Sequence, residues 1–436
     1  MSPPYRSAPT LNWSNRPGRE LLRLAGPIAV SMVSHAFMSL VDTFCVSTLG
    51  AGALAGVGLG SITFFVFAGF GFGFFRGSKV LVSQARGAGD EEAIERHAGA
   101  ALAAALVVGM LITLCVGLIA PLLPSLAPSA VAGRAARDYA WILGLAGIPS
   151  MLYVALREVR YGSGDSTAPM RAALVANAVN IGLDVLFVLV LDWGVEGAAF
   201  ATLAAYVIQV VTLAPAQRRR VRRPMADDLR ALRKMGAPTG IQFVLEIGSF
   251  GLITVLLSAT DERQVAAHQV ALQLMHFVFL PMAAVAEACS VLAGQAHGAQ
   301  RRQLIPVVGR LGLRVAVIYA LVWFVLIAVL RHTMARTFAS DDTELQNIVA
   351  VLLLVGGVFQ LADGLAMVGG AMLRGVGDVR YSAYVGVLTA WVFTPPLTYF
   401  LGIWLGLGAL GAWLGLTAQI LAQAVLLWRR LRSLTP

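Results

Sequence analysis

Along most of the chain, apolar residues run in blocks of about twenty, the length that crosses a ~30 Å hydrocarbon core. Gly, Pro and charge clusters punctuate these blocks. The pattern predicts helices near 20–48, 53–83, 94–121, 133–158, 168–191 and 195–216. A second set is predicted near 232–259, 264–294, 304–330, 343–373, 380–403 and 408–429. The first 19 residues form a polar tail without an apolar core and cleavage site, so no cleaved signal peptide is expected. The expected organisation is a tail at 1–19, a six-helix lobe at 20–216, a basic linker at 217–231, a second lobe at 232–429 and a tail at 430–436.

The two lobes repeat each other. Gly26-Pro27 answers Ala237-Pro238, and Ser83-Gln84-Ala85-Arg86-Gly87-Ala88 answers Gly294-Gln295-Ala296-His297-Gly298-Ala299, both offset by 211. Gly162-Ser163-Gly164-Asp165 answers Gly375-Val376-Gly377-Asp378, and Gly194-Val195-Glu196-Gly197-Ala198 answers Gly408-Ala409-Leu410-Gly411-Ala412, at offsets of 213 and 214. Six spans per repeat is an even number, so both repeats enter the membrane in the same sense. They are then related by an axis along the membrane normal, with a cavity between two lobes able to rock. The fold class expected is an all-α polytopic membrane protein of 12 transmembrane helices in two pseudo-symmetric six-helix bundles.

Composition agrees: of 436 residues, 58% are hydrophobic and 13% charged, about half the charged share of a soluble domain. The net charge of +10 is carried almost wholly by Arg in alternate loops. With the N-terminus in the cytoplasm, twenty-five Lys and Arg fall inside, five outside and three within spans. That asymmetry places both termini in the cytoplasm. No aromatic-interleaved basic domain is present, so nucleic acid is not an expected partner. The run Arg218-Arg219-Arg220-Val221-Arg222-Arg223 reads as a topology-fixing linker, with an anionic-lipid contact as the rarer alternative. Cys45, Cys115 and Cys289 lie in apolar segments and read as core residues. The near-absence of Lys beside abundant Arg, Ala and Gly hints at a GC-rich bacterial genome.

Five acids interrupt the apolar blocks: Asp42, Asp184, Glu246, Glu287 and Asp363. An ionised group at membrane depth costs at least ~2.5–3.5 kcal/mol, so such residues serve a cation, a proton or a wet cavity. Asn180 and Asp184 are four apart and share a helix face. Asp42 on span one and Thr202 on span six complete an oxygen cluster if those helices adjoin. Oxygen ligands suit a hard cation, and a pair of desolvated carboxyls suits a proton. Thr202 has a simpler alternative, a bond to its own helix. Gln360 and Asp363 share a face of span ten, and Arg76 and Lys79 on span two are placed to neutralise some of the five acids. Pro27 in span one is a candidate hinge, Pro238 can bend span seven, and Pro395-Pro396 predict a break in span eleven. His35 and His276 read as cavity-lining or packed residues. The Gly-Phe alternation at 69–75 reads as close helix packing. Without a Walker A sequence, a Ser-His-Asp set, HExxH or CxxC, neither ATP drive nor an enzyme is expected.

Several segments resemble the multidrug and toxic compound extrusion (MATE) family. They are Leu24-Ala25-Gly26-Pro27-Ile28, Leu40-Val41-Asp42-Thr43, 83–88, Asn177-Ala178-Val179-Asn180-Ile181-Gly182-Leu183-Asp184 and 194–202, with Ala267-His268-Gln269-Val270-Ala271-Leu272 and Leu373-Arg374-Gly375-Val376-Gly377-Asp378 in the second half. The first-half motifs, with Phe74-Phe75-Arg76 and Val285-Ala286-Glu287-Ala288, resemble the DinF-like branch. The resemblance implies a proton or sodium site at Asp42, Asn180, Asp184 and Thr202, with Tyr139 as the matching span-four tyrosine. Glu246 and Asp363 instead match the cation-binding acids of the NorM-like branch, and with Glu287 and Gln360 they define a second candidate cation or substrate site.

The fold implied is the MATE/MOP type, two six-helix bundles about a central cavity. The implied activity is secondary active efflux of lipophilic, often cationic compounds by antiport with H+ or Na+ through alternating access. No cofactor or metal is expected beyond the coupling ion, Na+ at the N-lobe site included. The expected setting is a monomer among the lipids of a bacterial inner membrane. One rival reading is a flippase for lipid-linked cell-wall precursors, whose anionic cargo calls for an Arg-lined cavity. Another is a non-transporting scaffold or receptor.

Overall fold

The computed structural model describes residues 11–216, 221–339 and 342–434. Residues 1–10 of the tail, and Arg218 to Arg220 of the basic run, lie outside them. The described residues form helices and turns only. The helices of the first half are α1 (Pro17–Ser47), α2 (Ala51–Ala88), α3 (Glu91–Ile119), α4 (Leu123–Leu126), α5 (Ala130–Gly144), α6 (Gly147–Gly162), α7 (Thr167–Asp184) and α8 (Gly194–Leu213). Those of the second are α9 (Ala226–Leu257), α10 (Glu262–Gly298), α11 (Leu304–Phe338), α12 (Thr343–Gly375), α13 (Val379–Leu397) and α14 (Gly408–Leu434).

Eleven segments are long and apolar enough to cross a membrane, and α5 and α6 together make a twelfth. Span four is therefore not the single rod expected over 133–158: α5 and α6 meet at 52°. Pro149 explains the bend, because it has no N–H to offer the carbonyl of Leu145 one turn back. The chain there tightens instead, Leu145 N bonding Ile142 O at 3.1 Å and Ala146 N bonding Leu143 O at 2.9 Å. Spans five and eleven both finish in a wider π-helical turn, at Val185–Val190 and Thr398–Trp404. The repeat thus extends to a backbone irregularity. Pro395 and Pro396 do not break span eleven as expected. They lie inside α13, which passes directly into the π turn.

The chain divides into two compact units. The amino-terminal unit is Val30–Arg86 with Asp90–Ile241; the carboxy-terminal unit is Met1–Ala29, Gly87–Gly89 and Gln242–Pro436. The divisions fall inside α1, just past Pro27, and inside α9, just past Pro238.

In the amino-terminal unit, small residues let helices approach closely. Gly73 and Gly77 of α2 face Gly236 and Gly240 of α9. A Cβ on Gly77 would lie 2.6 Å from Gly236 N, and one on Gly73 would collide with Thr239 O. Replacing Gly77 by Leu should lower thermal stability in detergent by about 1–3 kcal/mol, the usual cost of overpacking. Gly58 has nothing within 4 Å of its missing Cβ, so Gly58→Ala should leave the melting temperature unchanged or raise it.

In the carboxy-terminal unit α10 is the most deeply buried helix: 83% of its apolar window is buried, against 17% for α11, which is left to the lipid. Trp13 is tied to α10 by a 2.8 Å hydrogen bond to Gln295 Oε1. Asp342 caps α12, its Oδ1 accepting from Glu344 N and Leu345 N at 3.0 Å each, while Arg263 Nε donates to Oδ2 at 2.7 Å. The Arg263 bond, with the two amide bonds, holds this carboxyl below the usual aspartate range. A lowered folded-state pKa contributes stability above the unfolded value of about 3.9, lost as the pH falls through the folded value. Asp342→Ala should therefore melt below the parent at neutral pH, and the two curves should converge in strong acid.

Candidate functional site

The functional candidates of the amino-terminal unit converge where α7 gives way to its π turn. Asn180 and Asp184, one turn apart, are fully buried, and Asp184 is the last α-helical residue before Val185. Irregular turns of this kind are frequent at functional positions. The Asp42 and Asp184 carboxyls are hydrogen-bonded to each other. Oriented by its neighbours, the Asn180 amide donates to Asp42 Oδ1 at 2.9 Å and to Asp184 Oδ2 at 3.2 Å. Asp184 Oδ1 is buried with no hydrogen-bond partner, an acceptor left open in an otherwise satisfied cluster.

Tyr139 and Thr202 stand beside this pair. The Tyr139 hydroxyl is hydrogen-bonded to Ser61 and Thr202 and lies in the field of both acids. Thr202 also donates to Ala198 O of its own helix at 3.1 Å, the simpler of the two alternatives raised for it. Next to it a small cavity is lined by His35, Met38, Thr202, Ala205, Tyr206 and Gln209. Gln209 Oε1 is buried there without a partner. Tyr206 and Gln209 were not anticipated, although Thr202, Tyr206 and Gln209 fall at helical spacing on one face of α8. Cys45, read as a core residue, is buried but sits within the field of Asp42 and Asp184.

A second ionic cluster in the same unit adds an acid to those expected. Lys79 has an acid of span four as a partner, its Nζ lying 3.5 Å from Glu158 Oε2. Glu158 belongs to span four and is 3% exposed, against 1% for Lys79. Arg157 donates to Glu158 Oε1 from Nε at 3.2 Å and from a terminal nitrogen at 3.0 Å, and its guanidinium lies 5.7 Å from the Tyr153 ring centre. Arg76 acts electrostatically on the same Glu158. Glu158 is the buried acid that the sequence reading passed over.

In the carboxy-terminal unit, Glu246 and Asp363 are brought together as electrostatic neighbours. Gln242 Nε2 donates to Glu246 Oε1 at 2.9 Å, and Gly386 of α13 supplies the space, since a Cβ there would strike both side chains. Asp363 is buried and its Oδ2 has no hydrogen-bond partner. Gln360 turns away from this pair, donating to Met275 O at 2.8 Å. Glu287 is buried in the middle of α10. His276 stacks on Phe279 with ring centres 6.3 Å apart. Among the described residues no group of three or more His, Cys, Asp or Glu is arranged to hold a metal ion.

The model of one family, MatE, matches the chain twice, at residues 27–186 and 238–400. The two matches coincide with the repeat read from the sequence. Among curated relatives, the probable multidrug resistance protein NorM of Deinococcus radiodurans is 30% identical over 417 residues, covering 92% of each chain. The protein of the same name from Bradyrhizobium diazoefficiens is 31% identical over 440 residues, covering 95% of this chain and 93% of its own. Two solved structures share the fold. One is a MOP superfamily transporter from Pyrococcus furiosus, described as having a binding pocket of reverse polarity (TM-score 0.89, 22% identity, 98% of both chains). The other is an outward-facing multidrug resistance MATE family transporter (TM-score 0.88, 23% identity, 95% of this chain and 96% of that one). The match over both halves, together with relatives aligned along nearly their whole length, establishes that the chain belongs to the MatE family, whose members are membrane transporters and not enzymes.

Proposed function

We propose that the chain is a secondary active exporter of lipophilic, cationic small molecules, driven by protons that load and leave the Asp42–Asp184 pair. The observation that carries this reading is the hydrogen-bonded set Asp42, Asn180 and Asp184, buried in membrane-spanning helices with Asp184 Oδ1 unclaimed. A proton is the ion proposed because two carboxyls buried side by side, in helices that cross the membrane, suit a shared proton. Relatives named as multidrug resistance proteins support small-molecule cargo.

In the proposed cycle the pair takes up a proton from outside, which removes negative charge and weakens the hold on a cationic cargo. The cargo leaves, the lobes exchange the side they open to, and the proton is released to the cytoplasm. The unit divisions just past Pro27 and Pro238 support these prolines as the flexing points. A one-for-one exchange of a proton for a monovalent cationic cargo moves no net charge, so the pH difference drives it, about 1.4 kcal/mol and a tenfold cargo gradient per pH unit; for a neutral cargo the potential adds about 2.3 kcal/mol per 100 mV. The protein works as a monomer in a bacterial inner membrane with both termini cytoplasmic, a placement supported by the Arg asymmetry. The flippase alternative needs cations free for diphosphate cargo, whereas Lys79 and Arg157 are engaged by Glu158.

Proteoliposomes test this directly. Dye export should follow an imposed pH gradient and stay at the background rate under a Na+ gradient. Export driven by Na+ alone would replace the proton with sodium, and no export under either would remove the antiport reading.

A further inference from the structure

Arg310 and Arg314 lie one turn apart on α11, both exposed. Their face continues through Ile318, Leu321, Val325 and Val329, which are 63%, 48%, 57% and 73% exposed. Such a stripe on a membrane-spanning helix faces hydrocarbon. Neither arginine has a hydrogen bond or ion pair with another described residue. α11 has 35 residues, more than the ~20 that cross the apolar core, and Arg331 marks the far end of the apolar stretch. Counting ~20 residues back from Arg331 puts Arg310 at the near rim of the core and Arg314 a turn inside it.

Long side chains can snorkel to the headgroup level, but two like charges on adjacent turns still want an anion at that level. Side chains four apart on a helix stand about 6 Å from each other at Cβ, close enough for both guanidinium groups to reach one phosphate. Beside them, Leu313, Arg314, Val317 and Ile318 line a shallow groove, with Arg314 at its rim and apolar residues along it. The amino end of α1 runs alongside in the same unit, Leu311 lying 3.9 Å from a Cβ built on Gly18. That neighbour adds the exposed Arg19 and Leu22, a further charge and a further apolar contact.

We infer that this face of α11 is a binding site for an anionic phospholipid, its phosphate bridged by Arg310 and Arg314 and an acyl chain lying in the groove. The leaflet is the one at the amino end of α11, the cytoplasmic leaflet in the orientation proposed above. A zwitterionic lipid fits less well, because its own ammonium competes for the phosphate.

Native mass spectrometry of the full chain, released from detergent after titration with phosphatidylglycerol or phosphatidylcholine, tests the site. Phosphatidylglycerol adducts should survive activation that strips phosphatidylcholine. The double variant Arg310→Gln/Arg314→Gln should lose those adducts at least about tenfold, the scale of one charge-assisted hydrogen bond. Arg331→Gln/Arg336→Gln, at the other end of the helix, should retain them. Equal retention of the two lipids, or equal loss in the two double variants, overturns the inference. If the Gln pair does not fold, Arg310→Lys/Arg314→Lys keeps the charge but loses the forked geometry; adducts held as firmly as in the parent would also overturn it.

Discussion

Asp42→Asn should reduce proton-driven dye export to the rate of protein-free vesicles while the protein still folds and binds dye. Asparagine matches aspartate in shape, so the contact with Asp184 survives as a neutral hydrogen bond, and the local packing of α1 on α7 is kept. What disappears is a charge that can be removed and restored. Asp184→Asn should behave alike, because in the proposed cycle the proton is held between the two acids, which are hydrogen-bonded to each other. Thr202→Val should be milder, since its hydroxyl is already shared with Ala198 O and Tyr139 keeps Ser61 as a second partner. The same assay on Glu246→Gln and Asp363→Asn separates the two units. If those variants abolish export and Asp42→Asn does not, coupling belongs to the carboxy-terminal pair.

Glu158→Gln should be the most destabilising single change in the amino-terminal unit. It leaves Lys79 and Arg157 facing a neutral amide in the interior, and removing one partner of a buried ion pair costs about 3–5 kcal/mol. The expected result is a sharp drop in the fraction of protein that survives heating in detergent, read by size exclusion. Adding Lys79→Met should recover part of the loss, because the ammonium that faced Glu158 goes with it while the methionine fills a similar volume. A double variant no better than Glu158→Gln alone would mean that Glu158 matters for Arg157 and Tyr153, and not for Lys79.

What the sequence disclosed and what it hid follow from the range of the interactions concerned. Span lengths are local properties of apolar runs, so eleven of twelve were legible as single helices, and span four erred only where Pro149 turned it. Asn180 and Asp184 were legible because their spacing is fixed by the helix itself. Asp42 was legible because an acid in an apolar block is costly wherever it lies. Its contact with Asp184, by contrast, depends on which helices adjoin, and spacing could state it only as a condition. Glu158 escaped notice because it stands at the end of its predicted span beside Arg157, where an acid looks like an interfacial residue. Its partner Lys79 is far away in the chain. The π turns after Asp184 and Leu397 left no residue signature, since Val, Leu and Phe serve any wide or narrow helix alike.

The exchange of helix ends between the units bears on how the polypeptide is made. The amino-terminal unit is complete once Ile241 has been synthesised, so it can assemble while the ribosome is still translating. The leading segment through Ala29 belongs to the other unit and must wait, docked provisionally or left in the interface, until α10 to α14 have been inserted. A truncated product stopped after α9 would therefore present an assembled first lobe carrying an orphan leading segment, a natural recognition mark for membrane quality control.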